Sequence, residues 1–214
     1  MNQDSNTNLY QDGLLDVLLT HARNFRDISD YLQCESLYLN DAINKSESVI
    51  DFGCGYGRHL QSMQLKISDG LGIDISPEYI KKANINNKCN NIHFQVSDAS
   101  NFISPVRFTT AICMYNTLGN IKNPSSVVSS MRHSITPGGT IIISVFSDSS
   151  IDSRINMYEA MGFHNPRVNE GAIVTKEGFW SRHFTRQEAE CILPGAKVHD
   201  CSQIGWIIHA TTSA

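Results

Sequence analysis

The chain has 214 residues, 41% of them hydrophobic and 18% charged, with a formal net charge of −4. That size suits one α/β domain with a sizeable core, and without a run of Lys or Arg the charge gives no reason to expect a nucleic acid or a membrane surface as partner. The longest apolar stretch, Thr140–Phe146, falls far short of the roughly 20 residues that span a bilayer, and the polar N-terminus lacks the basic-then-apolar shape of a signal peptide, so a cytoplasmic location is expected.

Along the chain, the first eight residues read as a disordered tail. Leu14, Leu15, Val17, Leu18 and His21–Ala22 follow a helical period, and a second helix is expected over Asp27–Asn40. From residue 48 the pattern becomes strand, Gly-rich turn, helix, repeated. Val49–Phe52 is the first strand, Gly70–Ile75 the second, Ile92–Val96 the third and Thr109–Tyr115 the fourth. Ser76-Pro77-Glu78 opens a helix with Pro in its first turn. A further helix around Pro124–Ile135 ends at the Pro137-Gly138-Gly139 turn, and Thr140–Phe146 is the fifth strand. Strands alternating with helices imply a parallel sheet covered on both faces.

Beyond the fifth strand the pattern loosens. Ile151–Met161 reads as a helix, and residues 170–184 as a hairpin turning near Glu177-Gly178. Thr185-Arg186-Gln187-Glu188 is a capping box opening a short helix, and Lys197–Cys201 and Gly205–Ala210 are the last two strands. Six cysteines lack any Cys-x-x-Cys pair and eight histidines are dispersed. Reduced packing cysteines, and no metal, are therefore expected.

Residues 49–60 carry the densest signal. A buried strand ends in Asp51, and Gly53, Gly55 and Gly57 follow at alternate positions before a helix starting near Arg58. This is how a parallel strand turns into a helix facing a ligand. Asp74, about 20 residues on at the end of the second strand, is placed to accept the hydroxyls of an adenosyl ribose. A dinucleotide fingerprint would put its third glycine at position 58, which is Arg.

In motif order, from Val49 to the C-terminus, the chain resembles the class I S-adenosylmethionine-dependent methyltransferases. Asp51-Phe52-Gly53-Cys54-Gly55-Tyr56-Gly57 is similar to that family's first motif, whose backbone lines the methionine part of the cofactor. Gly72-Ile73-Asp74-Ile75-Ser76 resembles the second, with Asp74 on the ribose and Ile75 on adenine. Ser97-Asp98-Ala99 resembles the third, where Asp98 or the adjacent backbone at Ala99 meets the adenine amino group. Cys113–Asn120, with Tyr115 and Asn116, resembles the segment of methyl-proximal residues after strand four, and Thr136–Gly139 the turn before strand five.

The resemblance implies a seven-stranded, mostly parallel sheet with helices on both faces and S-adenosyl-L-methionine as cofactor. It also implies an N-terminal helical segment (residues 1–44) covering the active site of the methyltransferase domain (residues 45–214), with a lid insertion at about 148–184. Methyl transfer from a sulfonium is an in-line displacement, so positioning is the protein's main task. The segment Tyr115-Asn116-Thr117-Leu118 lacks the prolines of the family's base-amino methyltransferases. A small-molecule acceptor, methylated at nitrogen with oxygen or sulfur as the alternatives, is the resulting expectation, for a monomer or homodimer.

In the lid, Phe179-Trp180-Ser181-Arg182-His183-Phe184 gathers aromatic, cationic and titratable groups. Trp180, Arg182, His183 and Asn116 are therefore candidates to bind a carboxylate-bearing acceptor, and His183 and Tyr115 to take part in catalysis. Rival readings are a protein or RNA methyltransferase of the same fold, a non-enzymatic cofactor-binding module, or an NAD-binding oxidoreductase, which Arg58 opposes.

Overall fold

Side-chain parity along the strands sets the layers. In β1 (Ser48–Phe52), Val49 joins one apolar cluster while Ile50 and Phe52 join the other. In β5 (Ile135–Phe146), Ile142 faces the first side and Ile141, Ile143 and Val145 the second. Strands apolar on both faces need cover on both faces, which is the condition for a buried parallel sheet. The computed structural model describes residues 5–11 and 14–213.

Five strands run parallel. β2 (Asp69–Asp74) and β4 (Phe108–Cys113) flank β1, with β3 (Ile92–Val96) outside β2 and β5 outside β4. β10 (Gly205–Thr211) then inserts antiparallel between β5 and β9 (Lys197–Cys201), giving the order β3-β2-β1-β4-β5-β10-β9. The winding direction reverses between β1 and β4, and the crevice at that switch point receives ligands in open α/β sheets.

One face is covered by α2 (Leu14–Ala22), α3 (Arg26–Ala42), α4 (Arg58–Ser62), α5 (Pro77–Asn86) and α7 (Ile151–Ala160). The other carries α6 (Pro124–Ser134) and α8 (Arg186–Ile192). The Ser76 hydroxyl accepts the Tyr79 N–H to open α5, with Pro77 beside it. Thr185 and Glu188 exchange the two bonds of the capping box that opens α8.

Several boundaries differ from the expectation for identifiable reasons. α1 (Ser5–Gln11) occupies part of the stretch read as a tail, whose first four residues lie outside the described ones. β5 begins at Ile135 rather than Thr140, because Ile135 pairs with Phe108 and the glycines fall in a register shift inside the strand. β4 stops at Cys113, because Tyr115 (φ 53°) and Asn116 (φ 56°) are both left-handed. No ladder continues through that conformation.

The insertion after β5 is a second, three-stranded antiparallel sheet. β7 (Ala172–Val174) and β8 (Trp180–Arg182) form the expected hairpin, with Gly178 at φ 88° in its turn. β6 (Arg167–Asn169) adds to it as an edge strand that the sequence did not suggest. Ile173 and Phe179 join the cluster containing Leu18, Ile28 and Tyr31, so the insertion shares a core with the N-terminal helices. Among the described residues, no helix is long and apolar enough to cross a membrane.

Candidate active site

The turn after β1 is fixed from below by the neighbouring strand. Gly53 and Cys54 N–H both donate to Ile73 O, at 2.8 and 3.0 Å. Gly53 (φ 78°) and Gly57 (φ 78°) are left-handed, and each also lacks room for a side chain. A Cβ on Gly53 would lie 2.4 Å from Thr117 Cγ2, and one on Gly57 would lie 2.2 Å from Phe94 Cζ. The two glycines thus serve different ends: Gly53 admits the turn beside the post-β4 segment, whereas Gly57 lets α4 approach β3.

Asp74, at the end of β2, faces this turn. Its Oδ2 accepts the Gly55 N–H and its Oδ1 accepts the Ser76 N–H, both at 2.9 Å. Burial raises the Asp74 pKa, and the hydrogen bonds from Ser76 and Gly55 oppose that rise. Each carboxylate oxygen keeps acceptor capacity for a further donor. Asp98, beyond β3, folds its carboxylate onto the Ser100 N–H (2.8 Å) and the Asn101 side-chain amide (3.2 Å).

These groups surround a cleft of about 460 Å³ that Gly53, Cys54, Gly55, Asp74, Ile75, Asp98, Ala99 and Tyr115 all help to line. The structure therefore brings together eight of the expected cofactor residues. Two others lie outside the lining: Gly57, packed on Phe94, and Asp51, beneath the turn. Burial pushes the Asp51 carboxyl up to about 7.

The acceptor candidates are placed differently. Asn116 is buried, and its side chain is consumed as a rivet. Its Nδ2 donates to Ser181 Oγ (3.1 Å) and Arg182 O (3.0 Å), while its Oδ1 accepts the Phe146 N–H (3.0 Å). Arg182 leaves the cleft, pairs with Glu188 at 2.7 Å and stacks over Phe184 at 4.8 Å. His183 is buried outside the cleft, with Nδ1 lacking a hydrogen-bond partner, and burial lowers its pKa. Alternation along β8 explains this: Ser181 points inward, so its neighbours Trp180 and Arg182 do not.

Tyr115 does reach the cleft, held by a residue that sequence reasoning missed. Glu35 on α3 is fully buried, and its Oε1 accepts the Tyr115 N–H at 2.7 Å as well as the Ser144 hydroxyl. Its Oε2 accepts from Arg58 Nη2 at 2.6 Å. The carboxylate thus ties the N-terminal helices to both the glycine turn and the strained post-β4 residues. Its signal was present in the sequence: Ile28, Tyr31, Glu35 and Leu39 share the buried face of α3, and an acid in an apolar stripe needs a partner.

The cleft is roofed by α1. Asn6 makes a strand-like fork on Trp180, donating to its carbonyl (2.7 Å) and accepting its N–H (3.0 Å), and also donates to Asn120 O (3.1 Å). Asn120 Nδ2 donates to the Tyr10 hydroxyl at 2.7 Å. A cofactor-sized cleft at the β1/β4 switch point, a pinned glycine turn and an acid at the end of β2 define a Rossmann-like methyltransferase.

Comparison with known proteins agrees. The profile described as "Methyltransferase domain" matches residues 20–187, and the chain belongs to that family. S-adenosyl-L-methionine is accordingly its cofactor. The ribosomal protein L11 methyltransferase of Halalkalibacterium halodurans is 32% identical over 108 residues, which are 50% of this chain but only 34% of that protein. Among solved structures, DhpI in complex with SAH superposes with a TM-score of 0.70 at 13% identity, covering 98% of this chain and 96% of that one. Magnesium protoporphyrin IX methyltransferase from Synechocystis PCC 6803 superposes at 0.63 with 15% identity, covering 91% and 86%. At such identities the likeness is one of fold.

Proposed function

We propose that the enzyme methylates a small molecule, at a nitrogen that arrives with its lone pair available. The observation that carries this reading is the roof. Asn6, bonded to the Trp180 main chain, and Tyr10, bonded to the Asn120 side chain, close the cleft, leaving about 460 Å³ for cofactor and acceptor together. Pockets of about 300–1,000 Å³ suit small ligands. A folded protein or an RNA helix would need that roof displaced.

In this reading Gly53, Cys54 and Gly55 bear on the methionine part of the cofactor, Asp74 on the ribose hydroxyls, and Ile75, Asp98 and Ala99 on the adenine. The cofactor supplies an activated methyl group; this chain supplies alignment and exclusion of water. Among the lining groups, burial holds the Tyr10 and Tyr115 phenols above their usual range and the His59 imidazole well below its own. Proton abstraction by these groups near neutral pH is therefore weak, which favours a nucleophile that is already neutral or anionic. Tyr115 acts by orientation, with Glu35 fixing its backbone.

The partial likeness to a ribosomal protein methyltransferase supports a second reading, a protein acceptor. A methyl-labelled cofactor incubated with the enzyme separates the two. Label recovered in the low-molecular-weight fraction of a cell extract supports a small acceptor; label recovered only on ribosomal proteins or RNA refutes it.

A further inference from the structure

Arg154, on α7, is fully buried, and no carboxylate lies within ion-pair distance of it among the described residues. Its donors go to neutral oxygens: Tyr158 OH at 3.2 Å, Ser181 O at 2.8 Å and Ser150 Oγ at 3.3 Å. The guanidinium stacks 4.6 Å from the Phe146 ring centroid and 5.7 Å from that of Tyr158. A buried cation satisfied in hydrogen bonds but not in charge leaves a positive potential in a low-dielectric surround.

Arg154 does not itself line a cavity, but its contacts Phe146, Tyr158 and Ser181 all line a small recess. A cavity of about 10 Å³, lined by Phe146, Tyr158, Phe179 and Ser181, adjoins the main cleft through the shared residues Tyr10, Tyr115 and Asn120. Its polar edge combines the phenols of Tyr10, Tyr115 and Tyr158 with Asn120 and Ser181, among apolar Leu18 and Met157. The Tyr115 hydroxyl is buried with no partner. The Tyr158 hydroxyl accepts from Arg154, which can only donate, so its own hydrogen is directed elsewhere. Burial and the neighbouring Tyr158 raise the Tyr115 pKa, so that phenol stays a donor across the physiological range.

Resting on the methyltransferase reading above, we infer that this recess anchors the acceptor, and that what it takes is a carboxylate, bound by the Tyr115 and Tyr158 hydroxyls in front of Arg154. A space of about 10 Å³ accommodates one oxygen-sized atom. One carboxylate oxygen enters the recess while the rest of the acceptor stays in the cleft. An ammonium group is disfavoured, although aromatic faces attract cations, because Arg154 already occupies two of those faces. The cation that sequence reading sought at Arg182 is supplied from α7 instead.

The test uses the full chain with benzoate, benzamide and benzylamine as probes. Each is titrated calorimetrically in the presence and absence of saturating S-adenosylhomocysteine, whose own binding is measured first. Benzoate is expected to bind about tenfold or more tightly than the other two, as charge-assisted hydrogen bonds outweigh neutral ones. Tyr158→Phe keeps the ring and is expected to abolish most of that preference without changing S-adenosylhomocysteine affinity; should Tyr158→Phe fold poorly, Tyr115→Phe is read by the benzoate-to-benzamide affinity ratio alone, because Tyr115 also lines the cofactor cleft. Benzamide or benzylamine binding as tightly as benzoate, or no benzoate binding at millimolar concentration, overturns the inference. Failure of S-adenosylhomocysteine to bind overturns the cofactor reading instead, and the benzoate preference of the free protein is still read independently.

Discussion

The cleft has two halves, built by opposite means. The cofactor half consists of neighbours in sequence: the turn at Gly53–Gly55 hangs from Ile73, and Asp74 closes on Gly55 only 19 positions away. The half proposed to take the acceptor is assembled across the chain: Asn6 bonds to Trp180 174 positions away, and Tyr10 to Asn120 across 110. A shared task leaves the first half as a local motif. A particular acceptor is fitted by the second, where no local rule constrains which residues meet.

Glu35 sits on the seam, so its removal should damage both halves. Glu35→Ala leaves Arg58 without its counter-ion and the Tyr115 N–H without an acceptor. A loss of about 3–5 kcal/mol in stability is expected, as for breaking a buried pair, with denaturant unfolding as the measure. A loss below about 1 kcal/mol would show that the halves are independent.

Asp51 tests the cofactor half through pH. Its folded pKa of about 7 lies above the unfolded carboxyl value, so the folded state binds the extra proton and stability falls as pH rises. That loss should begin above about pH 4 and level off once pH passes the folded value. Asp51→Asn removes the ionisation, and its stability advantage over the parent chain should grow from pH 5 to pH 8.5, by about 2–4 kcal/mol at most. Parallel curves for the two proteins would contradict the buried carboxyl.

Asp74→Ala is expected to weaken S-adenosylhomocysteine binding by about 1–3 kcal/mol, since it unpairs the ribose and releases the Gly55 N–H. Calorimetry reads this directly, and unchanged affinity would remove Asp74 from the cofactor site. Asn6→Ala belongs to the other half. It should raise acceptor KM and speed amide exchange in β8, with a stability cost of about 1 kcal/mol and cofactor affinity intact. Arg182→Ala should do least, about 0.2–1 kcal/mol, because its partner Glu188 is as exposed as Arg182 itself. A large fall in turnover would return Arg182 to the acceptor site.

The same division explains what could be read from the sequence. Strands β1, β2 and β3 were legible because their apolar runs and following turns are local. Gly57 matched a motif, yet its purpose depends on Phe94, a contact between separate strands and helices. Arg182 and His183 drew notice as chemistry-bearing residues on a hairpin, but strand alternation and Asn116 decide which side chains face inward. Arg154 drew none, since a lone arginine in a weakly amphipathic helix resembles a solvated one until burial is known.

Asn116 has one more consequence. By bonding the Phe146 N–H, Ser181 Oγ and Arg182 O, it joins the end of β5, the post-β4 turn and the lid strand into a single rigid piece. The roof over the cleft is held separately, by Asn6 and Tyr10 of the first helix. On the proposed reading, substitutions on that helix and around the recess would alter acceptor preference while the Gly53–Asp74 side of the cleft keeps its shape.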